Sequence, residues 1–192
     1  MRRGFKAEAK RLALEVREEL GLNAHVRMDP YALAKLYGIS VYTLDEMADS
    51  AELQDALHHF THVRPEVFSA AVIPVGHGRV IIENAAAEPP RRASTLAHEM
   101  AHILLEHSFT TLLRTSGKDC RESDRDQEDE AAELSGELLL PTEAAHRLAH
   151  RNVPDEDVAT RFGISIEFAR WRMNSTGARI ASQRARARRN GH

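Results

Sequence analysis

The sequence predicts an α+β domain, and three observations lead there. Helical periodicity fills both ends of the chain, two short runs between residues 68 and 84 read as a β-hairpin, and an apolar helix follows them. A length of 192 residues suits one such domain, and 42% hydrophobic residues suffice for a sizeable core. The net charge of −3 gives no general attraction to nucleic acid. Charge is nevertheless segregated, with an acidic stretch near residues 119–133 and an arginine-rich end from Arg179 to Arg189. No apolar run approaches the ~20 residues that span a bilayer. The basic start Met1-Arg2-Arg3 leads into charged helix rather than an apolar signal core. The single Cys120 has no internal disulfide partner, so a reducing cytoplasm is the expected compartment.

Phe5 to Leu20 places Phe5, Leu12, Val16 and Leu20 roughly on one helical face, and Gly21 stops it. Asp29 caps and Pro30 opens a short helix through Tyr37. After Gly38, Ile39 to Leu44 alternates like a strand, and the acidic residues 45–58 read as a weak helix. Phe68–Ile73 and Arg79–Asn84 are strands joined by the Gly-rich turn Pro74–Gly78. Beyond Pro89-Pro90 a helix runs from near Arg91 to Leu105. Arg114 to Gln127 reads as a loop, Glu128 to Leu140 as a second helix stopped by Pro141, and Thr142 to His150 as a third. Pro154 and Asp155 open a helix to Arg161, Gly163 turns the chain, and Ser165 caps a last helix packed by Phe168, Trp171 and Met173. From Gly177 on, no apolar face is sustained and disorder is expected. The chain therefore divides into an N-terminal helix (1–24), a central α+β domain (25–144), a helix-turn-helix-like segment (145–176) and a basic tail (177–192).

The chemistry is concentrated in Thr95-Leu96-Ala97-His98-Glu99-Met100-Ala101-His102-Ile103-Leu104-Leu105. Histidines four residues apart on a helix project one turn above each other, so both imidazoles reach one ion. Glu99 lies to the side, where it acts on water without being consumed as a ligand. This His-Glu-x-x-His spacing is the signature of zinc hydrolases, although a chain with 11 histidines also meets it by chance. A catalytic zinc takes at least three protein ligands. Leu105 and Ser108 occupy the places of the extended pattern's Gly and third His, while Glu106 and His107 lie too far along the axis and read as exposed end residues. The next helix offers Glu128 on the face of Ala131, Leu134, Ser135, Leu138 and Leu139, with Glu130 on its flank as the substitute and Asp129 and Glu133 pointing away. Those acids also suit a helix N-terminus with no metal at all.

With both helices placed, the chain resembles the ImmA/IrrE family of metallopeptidases, the phage- and stress-associated zinc proteases of bacteria. The likeness is carried by Thr95–Leu105, by Glu128-x-Glu130-Ala131 leading to Glu137-Leu138-Leu139-Leu140-Pro141, by Asp29-Pro30-Tyr31-Ala32-Leu33-Ala34 and Gly38-Ile39-Ser40-Val41, and by an ending from Val158 to Arg172. It covers roughly residues 25–175. The resemblance implies a zincin-like metallopeptidase domain over 25–144, a small mixed sheet packed against the active-site helix and a second ligand-bearing helix. It implies zinc held by His98, His102 and Glu128, with Glu99 as catalytic base. One departure stands out: Ala132 occupies the place where the family carries an Asn or Asp that supports a ligand histidine. Losing such support weakens metal binding ~10–100-fold unless another group substitutes.

The leading expectation is peptide-bond hydrolysis in the cytoplasm, directed at a helix-turn-helix repressor in a phage, mobile-element or stress response. An extended substrate is expected along the 79–84 strand if that strand is an edge. His59, His62 and His77 are oxyanion-stabilising candidates by residue type alone. A non-proteolytic anti-repressor that binds its partner through the zinc cleft is the alternative. Direct DNA contact through Val158–Met173 and the arginines is the weaker third reading, and no membrane partner is expected.

Overall fold

The computed structural model describes residues 1–47, 51–107 and 120–190. By contacts the chain forms two compact units, residues 1–3 with 29–135 and residues 4–28 with 136–192.

The first unit begins at α2 (Pro30–Leu36), where the Asp29 carboxylate accepts from the Tyr31 backbone N–H and Pro30 occupies the first turn. Strands β1 (Ser40–Thr43), β2 (Ala70–Val75) and β3 (Gly78–Glu83) form a mixed sheet in the order β1-β3-β2. β1 is parallel to β3 with Ser40 opposite Val80, and β2 is antiparallel to it with Val72 opposite Ile81. A two-residue turn, Gly76-His77, closes the hairpin tighter than the sequence suggests, and Gly76 adopts the φ of 58° that other residues avoid. Pro74 is tolerated because β2 lies at the sheet margin. The expectation of an open edge on the 79–84 strand is corrected here, since β3 is paired on both sides and has none. Between β1 and β2 run a 3-10 turn (Leu44–Met47), α3 (Ala51–His58) and a π-helical turn (His59–Val63), so the acidic stretch is helical where it is described.

Helix α4 (Pro89–Leu104) packs on β2, β3 and α2 through Ala93, Leu96, Ala97, Met100 and Ala101. Two polar clamps hold its approach. Buried Asn84 donates to the carbonyls of Phe60, Pro65 and Phe68 at 2.7, 3.3 and 3.1 Å, tying down the irregular chain before β2. Buried Glu83 accepts from Tyr31 at 2.9 Å and from Arg92 at 2.5 Å, joining α2, β3 and α4. Burial and that carboxylate push the Tyr31 hydroxyl up to about 12.

Helix α5 (Cys120–Leu139) is longer than the sequence suggests, because its polar first turns read as loop. The rest of the expected loop, 114–119, lies outside the described residues. From Ala131 to Leu140 every residue except Ala132 is buried, so Glu133, expected to point away from the apolar face, is packed as well.

The second unit holds α1 (Phe5–Glu19), the end of α5, α6 (Thr142–His150), α7 (Asp155–Phe162), α8 (Ile166–Ser175) and α9 (Ala178–Asn190). Ser165 caps α8 by accepting from the Phe168 N–H, as its position predicts, and Gly163 takes the left-handed turn at φ 66°. Trp171 is not a core residue but 41% exposed, while Ala169, Arg172 and Met173 form the buried face of α8. Two fully buried arginines organise the unit. Arg17 donates to the carbonyls of Leu138, Asn23 and Val26, and burial pulls its guanidinium down to about 10. Arg172 pairs with Glu137 at 2.5 Å and donates to the Leu140 carbonyl at 3.1 Å.

The tail is the clearest correction. Residues 178–190 form α9, which packs on α6 and buries Ala178 and Ser182. Small residues spaced four apart need no bulky apolar face to dock closely, and the Ser182 hydroxyl and Arg186 guanidinium cap α6 at the Ala149 carbonyl (2.9 and 3.1 Å). Deleting residues 178–192 is therefore expected to lower the unfolding free energy by about 1–3 kcal/mol. Chemical denaturation followed at Trp171 measures this, and an unchanged midpoint would fit a disordered tail instead.

Candidate metal centre

Helix α4 buries its apolar face against the sheet, with His98 and Glu99 partly accessible and His102 buried. The Nε2 atoms of His98 and His102 lie 3.1 Å apart. The Glu128 carboxylate, arriving from α5, is 3.0 Å from His98 Nε2 and 3.3 Å from His102 Nε2. These ligating atoms form the group able to hold a metal ion among the described residues. A tetrahedral ion with bonds of 2.0–2.1 Å needs its ligand atoms about 3.3 Å apart, so the donor set and its spacing both fit. The contacts with His102 and His98 hold the Glu128 carboxyl well below the usual range, which keeps it anionic as a ligand must be.

Glu99 stays out of this cluster. Burial raises its carboxyl above the ordinary value, against the pull of His98 and His102, which makes it a stronger base than a solvated glutamate. The backbone N–H of Val72, on β2, also reaches it. The sheet margin therefore runs beside the group expected to move protons.

The end of α4 places a residue that spacing alone misjudges. Glu106 adopts a left-handed φ of 52°, and the N–H groups of Glu106 and His107 bond the carbonyls of Ile103 and His102 at 3.1 and 3.0 Å. This is a Schellman ending with Glu where Gly is favoured, at a local cost of ~1–2 kcal/mol. It folds His107 back against His102, so His107 is 8% exposed rather than a solvated end residue. The two Nδ1 atoms lie 2.9 Å apart. Burial, and then the neighbouring His102, lower the His107 pKa and keep its ring neutral at pH 7. Glu130, 5% exposed, lies behind it with Oε2 at 3.7 Å from His107 Nε2. Burial disfavours the Glu130 carboxylate, but the Arg2 side chain and backbone N–H outweigh it and lower the pKa.

Sequence spacing thus brings His98, His102 and Glu128 together, while Glu130, the substitute ligand, is held by Arg2 away from them. His59, His62 and His77 do not join the cluster; His62 stacks on His58 at 5.0 Å and bonds Thr61. No signal in the sequence marks His107 except its place one turn beyond His102.

Residues 34–174 match the family model described as the IrrE N-terminal-like domain, a peptidase family. The chain belongs to the IrrE N-terminal-like peptidase family. Membership agrees with the resemblance in the paired helices, and the His98, His102 and Glu128 group is compatible with a metal ion. No curated protein matches the chain. No helix among the described residues is long and apolar enough to cross a membrane.

Proposed function

We propose that this member of the IrrE-like family is a zinc-dependent peptidase that cleaves a DNA-binding repressor of helix-turn-helix type. The observation that carries the reading is the convergence of two Nε2 atoms and one carboxylate, with Glu99 beside them and outside the cluster. Two imidazoles and a carboxylate with an open position suit zinc better than magnesium or calcium, which favour all-oxygen sites. Zinc held there would supply Lewis acidity toward a water and the scissile carbonyl. His98, His102 and Glu128 would hold the ion, and Glu99 would take the proton from the attacking water and return it to the leaving amine. Because β3 is covered on both sides, an extended peptide is assigned to the outer side of β2, where Val72 approaches Glu99.

Direct DNA contact is not part of this reading. Arg172 is buried on Glu137, and Arg186 caps α6. The test mixes the zinc-loaded chain with the candidate repressor. Chelator-sensitive fragments support the reading, whereas an intact complex without cleavage would favour the anti-repressor role and contradict proteolysis.

A further inference from the structure

We propose that His107, backed by Glu130 and Arg2, is the positioning group for His102, substituting for the amide or carboxylate that the family resemblance leads one to expect at position 132. This rests on the reading of His102 as a metal ligand. A histidine that binds metal through Nε2 carries its proton on Nδ1, and the partner accepting that proton fixes the ring's tautomer and angle. His102 Nε2 is the atom facing His98 and Glu128, at 3.1 and 3.3 Å. Its Nδ1 faces His107 Nδ1 at 2.9 Å, a hydrogen-bond distance.

Only one of two facing nitrogens holds the shared proton. With His102 in the ligating tautomer, His107 Nδ1 accepts and His107 keeps its own proton on Nε2. That nitrogen faces Glu130 Oε2 at 3.7 Å, beyond a direct hydrogen bond but within reach of the carboxylate's charge. Glu130 is held in turn by the Arg2 Nε–H and backbone N–H, both donating to Oε1 at 2.9 Å. His107 and Glu130 are 8% and 5% exposed, so water competes little for these contacts and their geometry is defined. Ala132, one turn after Glu128, offers no polar atom for the task. The left-handed Glu106 that folds His107 inward gives the strained helix end a purpose.

The alternative is a buried helix end that contributes stability and nothing to the ligand. Zinc affinity of the metal-free chain, measured by competition with a chromophoric chelator at neutral pH, separates the two. His107→Ala is expected to weaken zinc binding ~10–100-fold. His107→Gln, whose amide oxygen also accepts, is expected to retain most of the affinity, and Glu130→Gln to lose less than His107→Ala. Circular dichroism of the metal-free proteins registers any structural damage separately. A folded His107→Ala with wild-type zinc affinity would overturn the proposal. Should His107→Ala fail to fold, long-range 1H–15N spectra of the zinc-loaded wild type decide. A His107 protonated at Nε2 beside a His102 protonated at Nδ1 supports the proposal, and a His107 protonated at Nδ1 would overturn it. A wild type that binds no zinc would instead overturn the metal site, and this proposal with it.

Discussion

Glu99→Gln is expected to lower peptide-bond hydrolysis by roughly 10²- to 10⁴-fold while leaving the metal bound. Glutamine has nearly the same size, so the packing of α4 on the sheet and the approach of the Val72 N–H suffer little. What disappears is a carboxylate whose basicity burial has raised. Because Glu99 lies outside the ligating cluster, zinc content is expected to match the wild type. Cleavage is read with a protein substrate on which the wild type is active. Undiminished cleavage by Glu99→Gln would remove Glu99 from the mechanism.

Arg172→Ala is expected to destabilise the second unit by about 3–5 kcal/mol, because it leaves Glu137 buried without its cation. Arg172 also donates to the Leu140 carbonyl, where α5 ends before Pro141. Glu137 meanwhile accepts from the Thr142 N–H at 2.8 Å and so starts α6. One ion pair therefore joins the end of one helix, the start of the next and α8. Gly136 leaves room for it, since a Cβ there would lie 3.2 Å from the guanidinium. Fluorescence of the single Trp171, adjacent in sequence, follows urea unfolding of this unit. A midpoint within error of the wild type would show that the pair carries no stability.

The elements that sequence reveals best are those whose determinants are local. Asp29-Pro30, Gly163 and Ser165 carry their caps and turns within a few residues, and the structure uses each as expected. The His98–His102 pair is legible for the same reason, since helical periodicity alone puts both on one face. Glu128 was reachable through the apolar face of α5, although its polar first turns hid where that helix starts. The failures lie where tertiary contacts decide. Glu133 is buried because α5 is enclosed on nearly every side from Ala131 on, and α9 docks through small residues that leave no amphipathic signature. His107 looks like a solvated end until the left-handed Glu106 turns it back. The position of β3 between its neighbours depends on strand order, which alternation does not encode.

The central claim is that His98, His102 and Glu128 together hold one catalytic metal ion. Metal content after dialysis, compared among the wild type, Glu128→Ala and Glu130→Ala, tests it most directly. One zinc per chain is expected in the wild type, none in Glu128→Ala, and retained though more weakly held zinc in Glu130→Ala. Full zinc in a folded Glu128→Ala, with loss in Glu130→Ala, would contradict the site.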